Sequence, residues 1–166
     1  MTTADNQQER LRLQGWIVGF TDGEGCFSIS IFKNKTTKRG YQIFPEFVIT
    51  QGEKSKKSLE IFQKFFNCGN IYINRRHDNH KEHIYRYCVR SIEDLRDIII
   101  PFFEKHTLKT EKATDFKLFS KAVQIISAGQ HLTQNGFNRI IQLKSQSNRK
   151  ILRDYTSDPA IPAGKI

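Results

Sequence analysis

The spacing of apolar and polar positions changes after the first twenty residues of the chain. Over residues 8–21 apolar side chains recur every three or four positions, which predicts an amphipathic helix. From Cys26 to Asn34 they recur every second position, which predicts a strand with one buried face. The same alternation returns from Tyr41 to Gln51, after a polar basic turn over 35–40. These stretches predict a β-hairpin that directly follows the first helix.

Each predicted strand has an apolar face and a mostly polar face. The expected core residues of the hairpin are Phe27, Ile29, Ile31, Ile43, Phe47 and Ile49. On the second strand, Phe44 and Val48 interrupt the polar face. The apolar face of each strand should pack against helices, because a half-buried sheet needs a covering layer.

The helix and hairpin pattern then repeats. A helix is expected over 54–66, and strands are expected over Asn70–Arg76 and Ile84–Arg90. Pro101 should break or kink the next helix, because proline has no N–H to donate. The expected C-terminal helices cover residues 92–104, 110–127 and 136–145.

The resulting order is α-β-β-α-β-β-α with additional C-terminal helices. Two hairpins separated by a helix predict an α+β fold with one four-stranded antiparallel sheet, covered by helices on one face. Residues 1–155 are long enough to form a single domain around one core. Residues 156–166 contain two prolines and are expected to form a flexible tail.

The uncovered face of the sheet is expected to carry Ser, Asn, Gln, Arg, Thr and Tyr side chains. Such side chains can read base edges, since Arg suits guanine and Asn and Gln suit adenine. We expect this face to bind DNA, with an ordinary solvated sheet face as the alternative. The expected DNA-contacting residues are Ser28, Ser30, Asn34, Lys38, Arg39, Gln42, Glu46, Thr50, Tyr72, Asn74, Arg76, Arg86 and Arg90. The expected phosphate contacts near the C-terminus are Lys144, Asn148, Arg149 and Lys150.

Composition supports a polyanionic partner. The net charge is +10, while 37% apolar residues and 13 Phe argue against disorder. The three cysteines have no C-x-x-C spacing, which favours a reducing compartment without a structural zinc site. The sequence has no apolar run of transmembrane length and no secretory signal, so we expect an intracellular protein without a membrane partner.

The stretch from Trp16 to Gly25 combines an apolar run, spaced glycines and two carboxylates. Glycines at 15, 19 and 23 share one helix face and allow a second backbone to approach closely. The helix should stop at Gly23 or Gly25, beside Asp22 and Glu24. Carboxylates are unfavourable at the negative end of a helix dipole, so their presence there indicates a bound cation.

The nine residues from Ile17 to Gly25 resemble the LAGLIDADG motif of homing endonucleases, and the αββαββα order resembles that family's fold. Because the chain has a single copy of this motif, it resembles the single-motif members of the family, which act as homodimers. The resemblance implies a site-specific double-strand DNA endonuclease that uses a divalent metal and promotes intron mobility. Four short strands per chain cover about one turn of duplex, which implies a pseudo-palindromic target of roughly 20 bp.

The resemblance also assigns residues to the active site. Glu24 and the carbonyl of Gly23 correspond to the ligands of the catalytic metal, expected to be Mg²⁺. Gln51 resembles the residue near the attacking water. Lys109 is the first choice for the active-site lysine and Lys112 the second. A further basic group falls at Lys54 or Lys56, between which the sequence does not choose.

The motif helix is also the expected dimer interface. Two copies should pack through Gly15, Val18 and Gly19, which places both Glu24 carboxylates near the two-fold axis. Asp22 is expected to secure the helix end or to contact the partner copy. By resemblance alone, the chain should function in a chloroplast or mitochondrion.

Two alternative functions stay open at this point. One is an RNA-binding intron maturase or a catalytically inactive DNA-binding relative. The other is a basic RNA-binding domain unrelated to the motif, which would be a monomer in solution.

Overall fold

The computed structural model describes residues 3–37, 40–75 and 83–147 of the 166-residue chain. The predicted contacts that lie outside the described residues are Lys38, Arg39, Arg76, Asn148, Arg149 and Lys150. The expected tail over 156–166 lies outside them as well. The roles of these residues and the domain boundary at 155 stay predictions.

The described chain alternates helices and strands in the expected order. The helices are α1 (Thr3–Glu24), α2 (Lys56–Phe66), α3 (Ile92–Asp94), α4 (Ile100–Lys105), α5 (Lys112–Ser127) and α6 (Gln134–Ser147). The strands are β1 (Gly25–Lys33), β2 (Tyr41–Gly52), β3 (Asn70–Asn74) and β4 (Ile84–Val89). Short 3₁₀ turns at Glu53–Ser55 and Gln130–Leu132 precede α2 and α6. None of these helices, taken over the described residues, is both long and apolar enough to cross a membrane.

The four strands form one antiparallel sheet in the order β1-β2-β4-β3, which confirms the predicted fold class. Each hairpin contributes an outer and an inner strand, and the two inner strands pair with each other. Phe47 on β2 lies opposite Phe27 on β1 and Val89 on β4. This register aligns the apolar positions of both hairpins on one face, where the helices cover them.

Aromatic side chains fill the space between the sheet and the helices. Phe47 is fully buried, and its ring centroid lies 5.0 Å from that of Phe27 and 5.6 Å from that of Phe103. Phe103 in turn contacts Phe116, which comes from α5. Removing a side chain of this size from water contributes about 1.5–3 kcal/mol to stability. The core therefore joins the strands of both hairpins to α4 and α5.

The sequence predicts a break or a kink at Pro101, and the helical segment does not end there. Helical structure continues from Ile92 to Lys105, with a π-helical turn over Leu95–Ile99 just before the proline. Within it, the N–H of Ile100 donates to the carbonyl of Leu95, five residues back. The wider turn relieves the clash that a proline ring makes with the preceding turn of an α-helix.

Replacing Phe47 with alanine should lower the free energy of unfolding by about 3–5 kcal/mol, because it leaves a cavity between sheet and helices. Phe32→Ala is the matched control, since Phe32 lies on the uncovered face of the same sheet and is 45% exposed. The control should change stability by about 0.5 kcal/mol or less. Chemical denaturation followed by circular dichroism measures both, and equal losses would contradict the described core.

Candidate functional site

Helix α1 passes into strand β1 without a connecting loop. The helix ends at Glu24 and the strand begins at Gly25. A side-chain carbon on Gly25 would lie 2.7 Å from the Thr21 methyl and 2.8 Å from the Thr21 carbonyl oxygen. Only glycine fits this close approach, because real side chains do not tolerate such contacts. The junction therefore fixes where the last residues of α1 lie relative to the sheet.

The glycine face of α1 is open in the single chain. Apart from the neighbouring residues and backbone of α1 itself, side-chain carbons built on Gly15, Gly19 and Gly23 would meet no atom of the described residues within 4 Å. Ile17, between them in sequence, is fully buried, so the helix is anchored on its other side. The predicted contact surface is thus exposed and lacks side chains at the glycine positions, as the close approach of a second helix requires.

Asp22 ties the end of α1 to the segment that leads into α5. Its carboxylate accepts hydrogen bonds from the backbone N–H of Lys109 at 2.7 Å and of Thr110 at 3.2 Å. The Thr110 hydroxyl donates a third bond at 2.8 Å. Burial alone would raise the pKa of Asp22, but these hydrogen bonds and the charge of Lys112 outweigh it and lower the pKa. Both carboxylate oxygens are therefore engaged within the chain.

The structure brings Lys112, rather than Lys109, to the end of α1. The Lys112 ammonium donates to the carbonyl of Gly23 at 3.4 Å and to that of Gly25. The Lys109 ammonium lies 3.5 Å from the Thr107 hydroxyl instead. From the sequence, Lys109 is the first choice and Lys112 the second. The sequence does not separate them further, because both lie in the same short segment.

The end of α1 offers oxygen donors that suit a cation. The terminal carbonyls of Gly23 and Gly25 already hold a positive group, the ammonium of Lys112. The Glu24 side chain is exposed beside them, unlike the engaged Asp22. Carboxylate and carbonyl oxygens are the ligands that hard divalent cations prefer. Within the described ranges, no group of three His, Cys, Asp or Glu side chains forms a complete metal site.

The other predicted active-site residues lie around this junction. Ile49 pairs with Gly25, and Gln51 follows two residues later on the same face of β2. The Lys56 ammonium lies over the ring of Tyr85, which is the register partner of Gln51. Lys56 also pairs with Glu60 at 3.4 Å. The choice between Lys54 and Lys56 as the extra basic group stays open.

A cleft of about 210 Å³ opens beside the start of β1. Its lining includes Lys112 and Asp115 of α5 together with Lys144 and Ser147 of α6. The Ser147 hydroxyl donates to Asp115 at 3.2 Å, which joins the two helices. The predicted phosphate contact Lys144 therefore lies on the same cleft as Lys112.

The uncovered face of the sheet is polar and partly exposed. Residues predicted to contact DNA that are exposed on it are Ser30, Thr50, Tyr72, Asn74 and Arg90. Asn34 donates to the side-chain oxygen of Gln42 at 2.9 Å near the first hairpin turn. The hydroxyl of Ser28 lies 3.5 Å from the backbone carbonyl of Glu46. These contacts hold polar side chains in fixed positions across β1 and β2.

Glu46 differs from its polar neighbours, because it is 7% exposed. Its carboxylate accepts from Arg86 at 2.9 Å and from Arg90 at 2.5 Å. Cys88, between these arginines on β4, is buried although it faces the open side, and this burial raises its pKa to about 11. Sequence reasoning placed all three charged residues on this face but missed their pairing, which depends on the register between β2 and β4.

Comparison with known proteins agrees with the fold and the motif. The family model described as LAGLIDADG endonuclease matches residues 17–123, which is well over half of the chain. The chain belongs to the LAGLIDADG endonuclease family.

Relatives of this chain include intron-encoded and homing endonucleases. Probable intron-encoded endonuclease 3 of Neurospora crassa is 36% identical over 140 residues, which cover 83% of this chain and 25% of that protein. The crystal structure of the homing endonuclease I-TnaI has a TM-score of 0.72 and 38% identity, covering 81% of this chain and 87% of that one. The structure of I-SmaMI bound to an uncleaved DNA target with calcium ions has a TM-score of 0.76 and 34% identity. The match covers 84% of this chain and 46% of that one. The chain thus spans about a quarter of the Neurospora relative and about half of I-SmaMI.

Asp22→Ala should lower the free energy of unfolding by about 1–2 kcal/mol near neutral pH, because it removes three hydrogen bonds to a carboxylate. The fold lowers the pKa of Asp22 below its ordinary value of 3.8, so ionised Asp22 stabilises the folded state. That contribution is present above the ordinary value and is lost as pH falls through the lowered one. Chemical denaturation of the wild type and of Asp22→Ala should therefore show a difference in the free energy of unfolding that disappears in acid.

Asp97→Ala is the control for Asp22→Ala. Asp97 is exposed and bonds to its neighbour Arg96, an arrangement that contributes little to stability. The control should show a smaller loss at neutral pH. A gap between wild type and Asp22→Ala that is as large at about pH 2 as at about pH 7 would contradict stabilisation by ionised Asp22.

Proposed function

We propose that the chain is a homing endonuclease that cleaves both strands of a specific DNA site with the help of a divalent metal ion. It would act as a homodimer on a pseudo-palindromic target of roughly 20 bp, since each sheet covers about one turn. The observation that carries this proposal is the end of α1. There an exposed carboxylate, two backbone carbonyls and a lysine lie at the edge of an open polar sheet.

The exposed glycine face supports pairing of two such domains. A second α1 related by a two-fold axis can approach Gly15 and Gly19 closely, because no side chain separates the backbones. Val18, half-buried at the edge of this face, would pack against its equivalent. The two α1 ends would then bring both Glu24 carboxylates together, which supplies the oxygen ligands that one chain lacks.

Mg²⁺ is the proposed cofactor, held by Glu24 and the Gly23 carbonyl. When bound, the ion neutralises phosphate charge and stabilises the attacking and leaving oxygens. Glutamate is longer than the aspartate more common at this motif position, but it offers the same carboxylate oxygens. Asp22 does not serve as a metal ligand in this proposal, because its carboxylate accepts hydrogen bonds from the N–H groups of Lys109 and Thr110.

The remaining chemistry falls to side chains around the junction. Water attacks phosphorus, the bond to the 3′ oxygen breaks, and the leaving oxygen takes up a proton. Gln51 would orient the water, since its amide can both donate and accept. Lys112 would stabilise the phosphate charge, because its ammonium already lies at the end of α1. Lys109, from the same segment, would help Lys112 to stabilise this phosphate charge.

The sheet and its basic surroundings provide the DNA contact. The net charge of +10 favours any polyanion, so charge alone does not separate DNA from RNA. The similarity to I-SmaMI, whose structure contains its DNA target, favours duplex DNA over the maturase alternative. The relative in Neurospora crassa, a probable intron-encoded endonuclease, supports a role in intron mobility. A location in a chloroplast or mitochondrion is proposed from the resemblance to the family alone.

Glu24→Gln should reduce cleavage of the cognate site by about a hundredfold or more, because it removes charge from the reaction centre. Binding of the same duplex in Ca²⁺ should persist, since the sheet is unchanged. Gel assays of cleavage in Mg²⁺ and of binding in Ca²⁺ measure the two effects.

Glu9→Gln is the matched control, because Glu9 is an exposed glutamate on the same helix far from its end. The control should cleave like wild type. Undiminished cleavage by Glu24→Gln would overturn the metal assignment. Preference for intron RNA over duplex DNA in the wild-type binding assay would favour the maturase alternative.

Gly19→Phe should abolish dimerisation while the domain stays folded. A side chain at Gly19 meets open space within one chain but would separate the two helices of a dimer. The monomeric variant should keep its helical circular dichroism, since phenylalanine has a higher helix propensity than glycine. Light scattering gives the mass, with Lys117→Phe on the exposed face of α5 as control. A dimeric Gly19→Phe protein would contradict this interface.

A further inference from the structure

We propose that Arg90 reads a guanine in the major groove and that Glu46 is the positioning residue that holds Arg90 and Arg86 for base recognition. This inference rests on the proposed DNA-binding function of the sheet. It assigns different roles to three residues that the sequence predicts only as DNA contacts. Glu46 positions, whereas Arg86 and Arg90 face the solvent and can reach a base.

The strand register places Glu46 directly across from Arg90. Phe47 pairs with Val89, and Arg90 directly follows the end of β4, so an antiparallel register brings Arg90 next to Glu46. The Arg90 Nε donates to one carboxylate oxygen of Glu46 at 2.5 Å. Arg86 donates from Nη2 to the other oxygen at 2.9 Å. One carboxylate therefore orients two arginines that lie four residues apart on one strand face.

Two aromatic rings restrain Arg90 further. The guanidinium carbon lies 4.8 Å from the ring centroid of Tyr72 and 5.4 Å from that of Phe44. The hydrogen bond from Arg90 to Glu46 raises the pKa of Arg90, so its charge is secure. Restraint by a carboxylate and two rings removes most of the side-chain freedom that binding would otherwise cost. Arg90 is thus preorganised before DNA arrives.

Burial separates the positioning residue from the reading residues. The Glu46 side chain is 9% exposed, whereas those of Arg86 and Arg90 are 37% and 38% exposed. The carboxylate lies beneath the arginines, and each of its oxygens accepts a hydrogen bond from one of them. Glu46 therefore supports base recognition without reaching a base itself, while the arginines face the solvent that DNA would replace.

Guanine is the base that this geometry suits. A guanidinium has donors only, and guanine presents two acceptors, O6 and N7, in the major groove. The bond to Glu46 uses Nε of Arg90, which leaves the two Nη groups for a bidentate contact. Adenine and cytosine place an amino donor in the groove and would leave an arginine donor unpaired.

The position on the sheet favours a base contact over a phosphate contact. Glu46 and Arg90 lie on or directly beside the two inner strands, β2 and β4, and not at the rim of the sheet. The centre of such a surface faces the groove, whereas the rim meets the backbone. A carboxylate at this place also repels phosphate, which a purely electrostatic contact site would avoid.

Selection of binding sites from a randomised duplex pool tests the inference, with the full-length chain in Ca²⁺. The wild type should enrich a motif with a guanine in each half-site that Arg90→Lys no longer requires. The preference for guanine at that position should fall roughly 5- to 150-fold, with the other positions kept. Lys keeps the charge but not the bidentate geometry.

Glu46→Gln separates positioning from charge. Replacing the carboxylate with an amide removes one negative charge. Affinity for random DNA should therefore stay equal or rise, while the preference for guanine falls. Thermal unfolding of each variant reports any general loss of structure. Lys57→Gln on the exposed face of α2 is the control and should leave the motif unchanged.

Each other outcome counts against a defined claim. An unchanged guanine preference in Arg90→Lys would show that Arg90 does not read the base. An even loss of affinity over all sequences would indicate a phosphate contact instead. Either result would overturn the inference. A Glu46→Gln protein with lower stability but an intact motif would show that Glu46 is only structural. Enrichment of no sequence by the wild type would overturn the proposed DNA-recognition function itself, and this inference with it.

Discussion

The absence of a side chain at Gly25 is the constraint on which the rest of the site depends. Thr21 packs so closely against this residue that helix α1 can turn directly into strand β1. The close packing fixes the direction of the strand, and the sheet register then fixes Gln51 and the uncovered face of the sheet relative to the helix end. The last three residues of the helix receive different environments. Asp22 is engaged by the segment before α5, the Gly23 carbonyl faces Lys112, and Glu24 is exposed.

Carboxylates organise basic segments in this strongly basic chain. Asp22 holds the backbone of Lys109 and Thr110, and so sets where α5 and its lysine lie. Glu46 holds Arg86 and Arg90 across the inner strands of the sheet. In each case the acid fixes the position of groups that can bind phosphate or bases, and Glu46 is also buried from solvent. Glu24 is the contrasting case, since an exposed carboxylate at a helix C-terminus is unfavourable until a cation compensates it.

Most of the fold could be predicted from the period of apolar residues. The alternation from Cys26 to Asn34 and from Tyr41 to Gln51 predicted β1 and β2 to within one residue at each end, because one face of each strand is buried. Pro101 was harder, since sequence shows that an N–H is missing but not that a π turn will absorb the loss.

The site was predictable in its residues but less so in their contacts. The motif located Asp22, Gly23 and Glu24, yet the lysine nearest to them could not be chosen from sequence. Lys109 and Lys112 lie three residues apart, and only the packing of α5 shows that Lys112 reaches the Gly23 carbonyl. The pairing of Glu46 with Arg90 likewise depends on which strands are neighbours, and residues 44 apart in sequence give no local signal of contact.

The position of the metal in a complex with DNA tests the central claim most directly. Crystals of the chain with its selected duplex and Mn²⁺ would locate the ion by anomalous scattering. The ion should lie about 2.0–2.6 Å from a carboxylate oxygen of Glu24 and from the Gly23 carbonyl, with two copies of α1 meeting at a two-fold axis. An ion bound through Asp22, or DNA bound with the metal far from the end of α1, would contradict the proposed site.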